Sequence, residues 1–291
     1  MLPAGNFLSD IDPDSLSALH PSWSEDVRSH GPWTPEGALW KGASTGATTI
    51  IATHTCATTM ETARRFVESG MLGDWGAVIS GVQTGGRGQL RRPWASLPGN
   101  LHASILLPAS PGTGKWVKAL GPLLPLVAGY VICCVLEEYA TGLKIKWPND
   151  ILQNGRKVGG MLIEERNGIS ILGLGLNLAG FPSEKEMRED HSVPAAKMAI
   201  PYLSGGPLTL LEHLVNRGES VYEIMLDEIP PTRFIAMVES RLAWMGRPIR
   251  VLEGNEMPYE AIVTGLSPSG GLVVLREGDE RVLHSGSISP L

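Results

Sequence analysis

The chain has 291 residues, 43% of them hydrophobic and 19% charged, enough to bury a sizeable core and far from the polar make-up of disordered chains. Its formal charge is −6, from 24 Lys and Arg against 30 Asp and Glu, with no basic block anywhere, so a nucleic-acid binder that works by neutralising phosphates is not expected. The three cysteines, Cys56, Cys133 and Cys134, exclude a disulfide scaffold, and without a C-x-x-C or His-rich cluster for zinc the expected setting is a reducing cytoplasm.

In chain order, residues 1–44 are rich in Pro, Gly, Ser, Asp and Trp without helical or strand period. They read as an irregular N-terminal extension, lacking the basic and apolar regions of a secretion signal. From Thr48 the pattern changes. TTIIAT reads as a strand, and Thr58-Thr59-Met60-Glu61 has the S/T-x-x-E form of a capping box, predicting a helix over about residues 59–69. Met60, Ala63, Phe66 and Val67 would share its buried face, Arg64, Arg65 and Glu68 would point outward, and Gly70 would stop it.

AVISGVQ and LHASILL read as strands on either side of the loop TGGRGQLRRPWASLPGN. The uncharged stretch 119–136 resembles a membrane span, but it contains Gly121, Pro122, Pro125 and Gly129 and has the length of a buried helix, so no membrane is expected. Next come the strand LKIKWPN, a turn at Gln153-Asn154-Gly155, the strands VGGMLIEER and ISILGLGLNL, and the helical LTLLEHLVNRGESVYEIML. Short alternating segments from Pro248 to Ser289 predict a small all-β, barrel-like module. The expected organisation is an extension over 1–44, an α+β catalytic domain with a mixed sheet over 45–243, and the β-module over 244–291.

Chemistry concentrates in three segments. In Gly85-Gly86-Arg87-Gly88-Gln89-Leu90-Arg91-Arg92, glycines let backbone N–H groups approach an anion while arginines offer forked donors to carboxylate and phosphate oxygens. The loop matches neither standard phosphate-loop pattern, and a flexible loop with solvated charges is the competing reading. Lys146-Trp147-Pro148-Asn149-Asp150 ends an apolar strand and places a cation, an amide and a carboxylate together, although a turn with an Asn-Asp cap would look the same. Lys157 precedes Gly159 and Gly160, where the backbone could approach a ligand, but a single lysine is ordinarily just exposed.

Taken together, these segments resemble the biotin protein ligases. QTGGRGQLRRPWASLPGNLHAS is similar to that family's Q-T-A-G-R-G-R-x-G-R-x-W-x-S-P-x-G-N-L-Y-x-S, KWPNDILQNGRKVGGMLIE to its K-W-P-N-D segment, and LGLGLNL to its G-I-G-I-N, in the same order. TTMETARRF resembles the start of the family's S-T-(N/M)-D-x-A-R helix, and the C-terminal segments resemble its SH3-like domain. The likeness covers roughly residues 48–291. It implies a class II synthetase-like biotin/lipoate ligase fold plus a small SH3-like barrel, in the form without a DNA-binding domain.

The resemblance further implies ATP-dependent formation of biotinyl-5'-AMP, with Mg2+, and transfer of biotin to a lysine of a biotin carboxyl carrier protein. Thr58, Thr59, Met60, Gln83, Gly86, Gln89 and Gly160 would line the biotin pocket. Arg87 and Gly88 would hold the biotin carboxylate and then the adenylate. Arg92 would face phosphate, Trp94 would stack on adenine, and Lys157 would sit by the carboxylate and α-phosphate. Lys146, Asn149, Asp150 and Asn177 would lie near the nucleotide and its metal, whose ligands the sequence does not assign.

That placement suits the reaction, because attack of a carboxylate on an α-phosphate brings two anions together and needs cations where they meet. Arg87, Arg92 and Lys157 would supply them, and Asp150 is the carboxylate expected to assist the carrier amine, with an electrostatic or purely structural role as the competing reading. Gln89 departs from the family's usual arginine and Arg91 from its usual glycine, so a looser hold on the adenylate is expected unless Arg91 compensates. The rivals are a lipoate or octanoate ligase and a non-catalytic biotin-binding homologue. The carrier's identity and whether the chain pairs as a homodimer stay open at this level.

Overall fold

The computed structural model describes residues 6–44, 46–89, 92–183, 193–254 and 256–291. Its N-terminal stretch holds β1 (Phe7–Ser9), α1 (Pro13–Ser17), α2 (Pro21–Ser29), β2 (Thr34–Glu36) and β3 (Leu39–Gly42). The irregular extension expected over 1–44 is therefore corrected. β1 runs parallel to β4 (Ile50–Cys56), with Phe7 opposite Ile50, and antiparallel to β3. Phe7, Leu16 and Trp23 are fully buried in the main core. Strands of three or four residues and helices of five and nine residues are too short to display a period, and β1 is held between β3 and β4 rather than by its neighbours in the chain.

After β4 come α3 (Thr59–Glu68), β5 (Ala77–Gln83), β6 (Leu101–Leu106), α4 (Leu120–Leu136), β7 (Leu143–Lys146), β8 (Asp150–Gln153), β9 (Arg156–Arg166) and β10 (Ile169–Leu176). The strands form one ten-stranded mixed sheet in the order β2-β3-β1-β4-β5-β6-β10-β9-β8-β7. Period-two alternation assigns its faces. Ile51 and Val78 pack with Ala63 of α3 on one side. Ala52 and Ile79 join the main core on the other, with α4 and α5 (Pro207–Glu228). α4 is buried around most of its circumference, as expected for a core helix, and among the described residues no helix is long and apolar enough to cross a membrane.

The N-cap half of the capping box forms, with Thr58 extended and its Oγ1 accepting from Glu61 N at 3.1 Å, while the Glu61 carboxylate pairs with Arg166 instead. The outward placement of Arg64 does not hold, because that side chain is 7% exposed and one guanidinium nitrogen has no partner among the described residues. Beyond α5, helix α6 (Pro231–Glu239) leads to β11 (Pro248–Leu252), β12 (Tyr259–Leu266), β13 (Leu272–Arg276), β14 (Asp279–Leu283) and β15 (Ser287–Pro290). These make a separate antiparallel sheet in the order β14-β13-β12-β11-β15, in the place expected for the SH3-like module.

Candidate active site

The strands β4, β5, β6, β9 and β10 and the loops after them surround a cavity of about 230 Å³. One end is built around Thr59, at the start of α3. Its N–H and its hydroxyl both donate to Gln83 Oε1, at 2.8 and 3.2 Å, and its hydroxyl lies 2.8 Å from Ser104 Oγ. Gln83 Nε2 in turn donates to Ser96 Oγ at 3.2 Å. A neutral network thus ties helix, strand and loop together, with Met60 beside it over Gly173. The hydroxyl of Thr58 caps α3 while its side chain lines the cavity.

The glycine-arginine loop folds over this end as a narrow turn. Gly85 N donates to Ala57 O, Trp94 N to Gly86 O, and Gly88 N to Arg92 O, all at 2.8–2.9 Å. Arg87, Gly88, Gln89, Arg92 and Trp94 line the cavity, whereas Gly86 supports the turn from outside the lining. Leu90 and Arg91, and with Arg91 its expected compensation for Gln89, lie outside the described residues.

The floor beneath Trp94 has no side chains. Gly160 of β9 and Gly175 of β10 are directly paired, and a Cβ on Gly175 would overlap the indole ring. A Cβ on Gly160 would lie 3.3 Å from the indole and 3.4 Å from Asp150 Oδ1. Flat rings fit such a floor, and the indole occupies it with its N–H buried and unpartnered among the described residues.

At the strand ends, Asp150 is buried and forms ion pairs with Lys146 Nζ at 2.8 Å and Lys157 Nζ at 2.6 Å. Burial alone would raise its carboxyl, but the ammonium groups of Lys157 and Lys146 outweigh burial and hold it below the usual range. The two ion pairs hold both lysines at the strand ends beside the cavity. Asn149 lines the cavity and donates to Met161 O. Asn177 does not line it; it is buried, and its Nδ2 donates to Ala196 O at 3.2 Å.

Four cations, Arg87, Arg92, Lys146 and Lys157, face the cavity against the carboxylates Glu61, Asp150 and Glu164. Sequence reasoning missed Ser96, Ser104, Gly286 and Ser287. Ser104 left a signal, a buried hydroxyl two residues from His102 in an otherwise apolar strand. Gly286 and Ser287 left none, since only the packing of the two sheets brings them to the cleft.

A cation-rich cleft with a neutral polar end and a flat floor is the site of an enzyme that joins two anionic substrates, an acid-activating ligase. Residues 37–179 match the Biotin/lipoate A/B protein ligase family. The chain is 27% identical over 218 residues to the biotin–[acetyl-CoA-carboxylase] ligase of Paracoccus denitrificans, covering 72% of this chain and 88% of that protein. It superposes on the biotin protein ligase of Aquifex aeolicus in complex with biotin and ATP with a TM-score of 0.66, at 27% identity over 83% of this chain and 97% of that one. The biotin-bound ligase of Leishmania major gives 0.55, at 25% identity over 84% and 98%. The chain carries a domain of the Biotin/lipoate A/B protein ligase family.

Proposed function

We propose that the chain activates biotin with ATP to biotinyl-5'-AMP and transfers the biotinyl group to a lysine of a biotin carboxyl carrier protein. The observation that carries this reading is the convergence of Arg87, Arg92, Lys146 and Lys157 on one cavity whose other end is the Thr59–Gln83–Ser104 network. The neutral hydroxyl and amide groups suit a ureido ring, and Met60 and Leu174 cover the apolar parts of the acid. Arg87 and Lys157 hold the carboxylate against the α-phosphate, where their charge offsets the mutual repulsion and orients the attack. The carboxylate oxygen bonds to phosphorus as pyrophosphate leaves. A deprotonated carrier amine then attacks the acyl carbon, and AMP departs.

Mg2+ fits this site only as a companion of the nucleotide. Among the described residues no group of three His, Cys, Asp or Glu could hold a metal, and both oxygens of Asp150 are engaged by lysines. No step is derived through the ion. The three free cysteines suit a reducing compartment such as the cytoplasm.

Pyrophosphate release measured with biotin, lipoate and octanoate in parallel tests the proposal. Release with biotin is expected, and Lys157→Ala should lower it by about 10²-fold or more. Release only with lipoate or octanoate would overturn the substrate, and silence with all three would leave a binding protein.

A further inference from the structure

The cavity has one wall that the ten-stranded sheet does not supply. Gly286 and Ser287, at the start of β15, line it together with Trp147, Pro148 and Asn149. Ser287 is half-buried, its position in the strand is fixed by pairing with Leu252, and its hydroxyl has no hydrogen-bond partner among the described residues. A hydroxyl without a partner on a residue that lines a cation-rich cavity can donate to an anionic oxygen.

Trp147 joins the two sheets beside this wall. Its side chain is 3% exposed, lines the same cavity, and its Nε1–H donates to Gly270 O at 3.0 Å across the gap between the two sheets. Gly270 sits in the turn between β12 and β13, a turn stiffened by Gly270 N to Ser267 O at 2.9 Å and Gly271 N to Ser267 Oγ at 3.0 Å. It has φ +82°, and a Cβ there would press on Leu123 and Leu126 of α4 at 3.1 and 3.2 Å. Only a glycine lets this turn lie on α4 closely enough for the indole to reach its carbonyl.

We infer that Trp147 is a positioning residue, which latches the C-terminal sheet through Gly270 so that Ser287 donates to the phosphates of the bound nucleotide. The neighbours of Trp147 point to the phosphate side rather than the acid side. Lys146 precedes it and Asp150, with its two lysines, follows, while the acid pocket of Thr59, Gln83 and Ser104 is built on other strands. The inference rests on the adenylation reading for the identity of the nucleotide.

Calorimetric titration of the full chain with a non-hydrolysable ATP analogue, and separately with biotin, tests it on Ser287→Ala and Trp147→Phe. Each variant should bind the analogue about tenfold more weakly, the loss of about one hydrogen bond to a charged group, and biotin within about twofold of wild type. In turnover the KM for ATP should rise by a similar factor with kcat falling much less. Unchanged analogue binding in Ser287→Ala overturns the inference even if Trp147→Phe proves too unstable to study. Equal weakening of both ligands in Trp147→Phe overturns the positioning role, since loosened packing would explain it. If wild type releases no pyrophosphate with any acid, the proposed activity falls, while the analogue titrations still decide this point.

Discussion

Gln89 lines the cavity between Arg87 and Arg92 with a side chain that carries no charge. A glutamine donates to a phosphate without attracting it, so biotinyl-5'-AMP should leave this enzyme faster than it leaves a Gln89→Arg variant. Trapping released adenylate in the absence of carrier measures this, and equal release rates would show that charge at this position is immaterial. His102 makes a different demand. It is 1% exposed, its Nε2 lies 3.2 Å from Leu97 O, and burial pushes its imidazole down to about 4 despite that bond. The unfolded chain takes up this proton near pH 6.5 while the folded one refuses it, so stability present above pH 6.5 is lost as the pH falls towards 4. The loss amounts to about 3 kcal/mol. Urea unfolding of wild type and His102→Phe between pH 7 and 4 should show the gap between them changing by that amount, and a constant gap would clear the imidazole of the effect. At this scale the sequence was legible wherever a residue acts through its neighbours in the chain, as Thr58 does in capping Glu61. The pairing of Asp150 with both Lys146 and Lys157 was not legible, because a motif does not state how two lysines converge on one carboxylate.

Among the elements, α5 and the N-terminal helices explain each other. Asp26 of α2 is fully buried, and its carboxylate accepts from Gly206 N at 2.8 Å, Leu208 N at 2.9 Å, and both the N–H and the hydroxyl of Thr209, at 3.2 and 2.6 Å. It thus caps the 22-residue α5 from another part of the chain, satisfying amides that the helix itself leaves unpaired. Asp26→Ala should destabilise the protein by about 2–4 kcal/mol, more than an exposed cap would, because the amides are left buried. Chemical denaturation checks this, and a change under about 1 kcal/mol would show that water replaces the carboxylate freely. Long periodic elements such as α4, α5 and the strands with alternating faces could be placed from sequence. The short elements before residue 44 could not, since they are too short to show a period and α2 is fixed through a capping contact 183 residues distant.

For the molecule as a whole, the consequence is that the catalytic sheet starts at Phe7. Deleting residues 1–44 would strip β1 from β4 and remove Phe7, Leu16 and Trp23 from the core. At about 3–5 kcal/mol for each large buried side chain, that exceeds or matches the entire stability of an ordinary domain. The truncated chain should show no cooperative thermal transition, and a sharp transition with retained ligase activity would reduce the segment to an appendage. The second sheet was legible as a module from its turn spacing, but its share in the cleft was not, because Trp147 and Gly270 meet only after both sheets have formed.

The wedging of β1 between β3 and β4, together with the grip of Asp26 on α5, also orders events during synthesis. The earliest strands can pair with β3 soon after they emerge, but the carboxylate that must end up buried has no partner until residues 206–209 are made. At about 5–20 residues per second that wait is on the order of ten seconds or more. For that interval the nascent chain lacks the α5 against which α2 packs and leaves Asp26 uncapped, the kind of unfinished surface on which chaperones act.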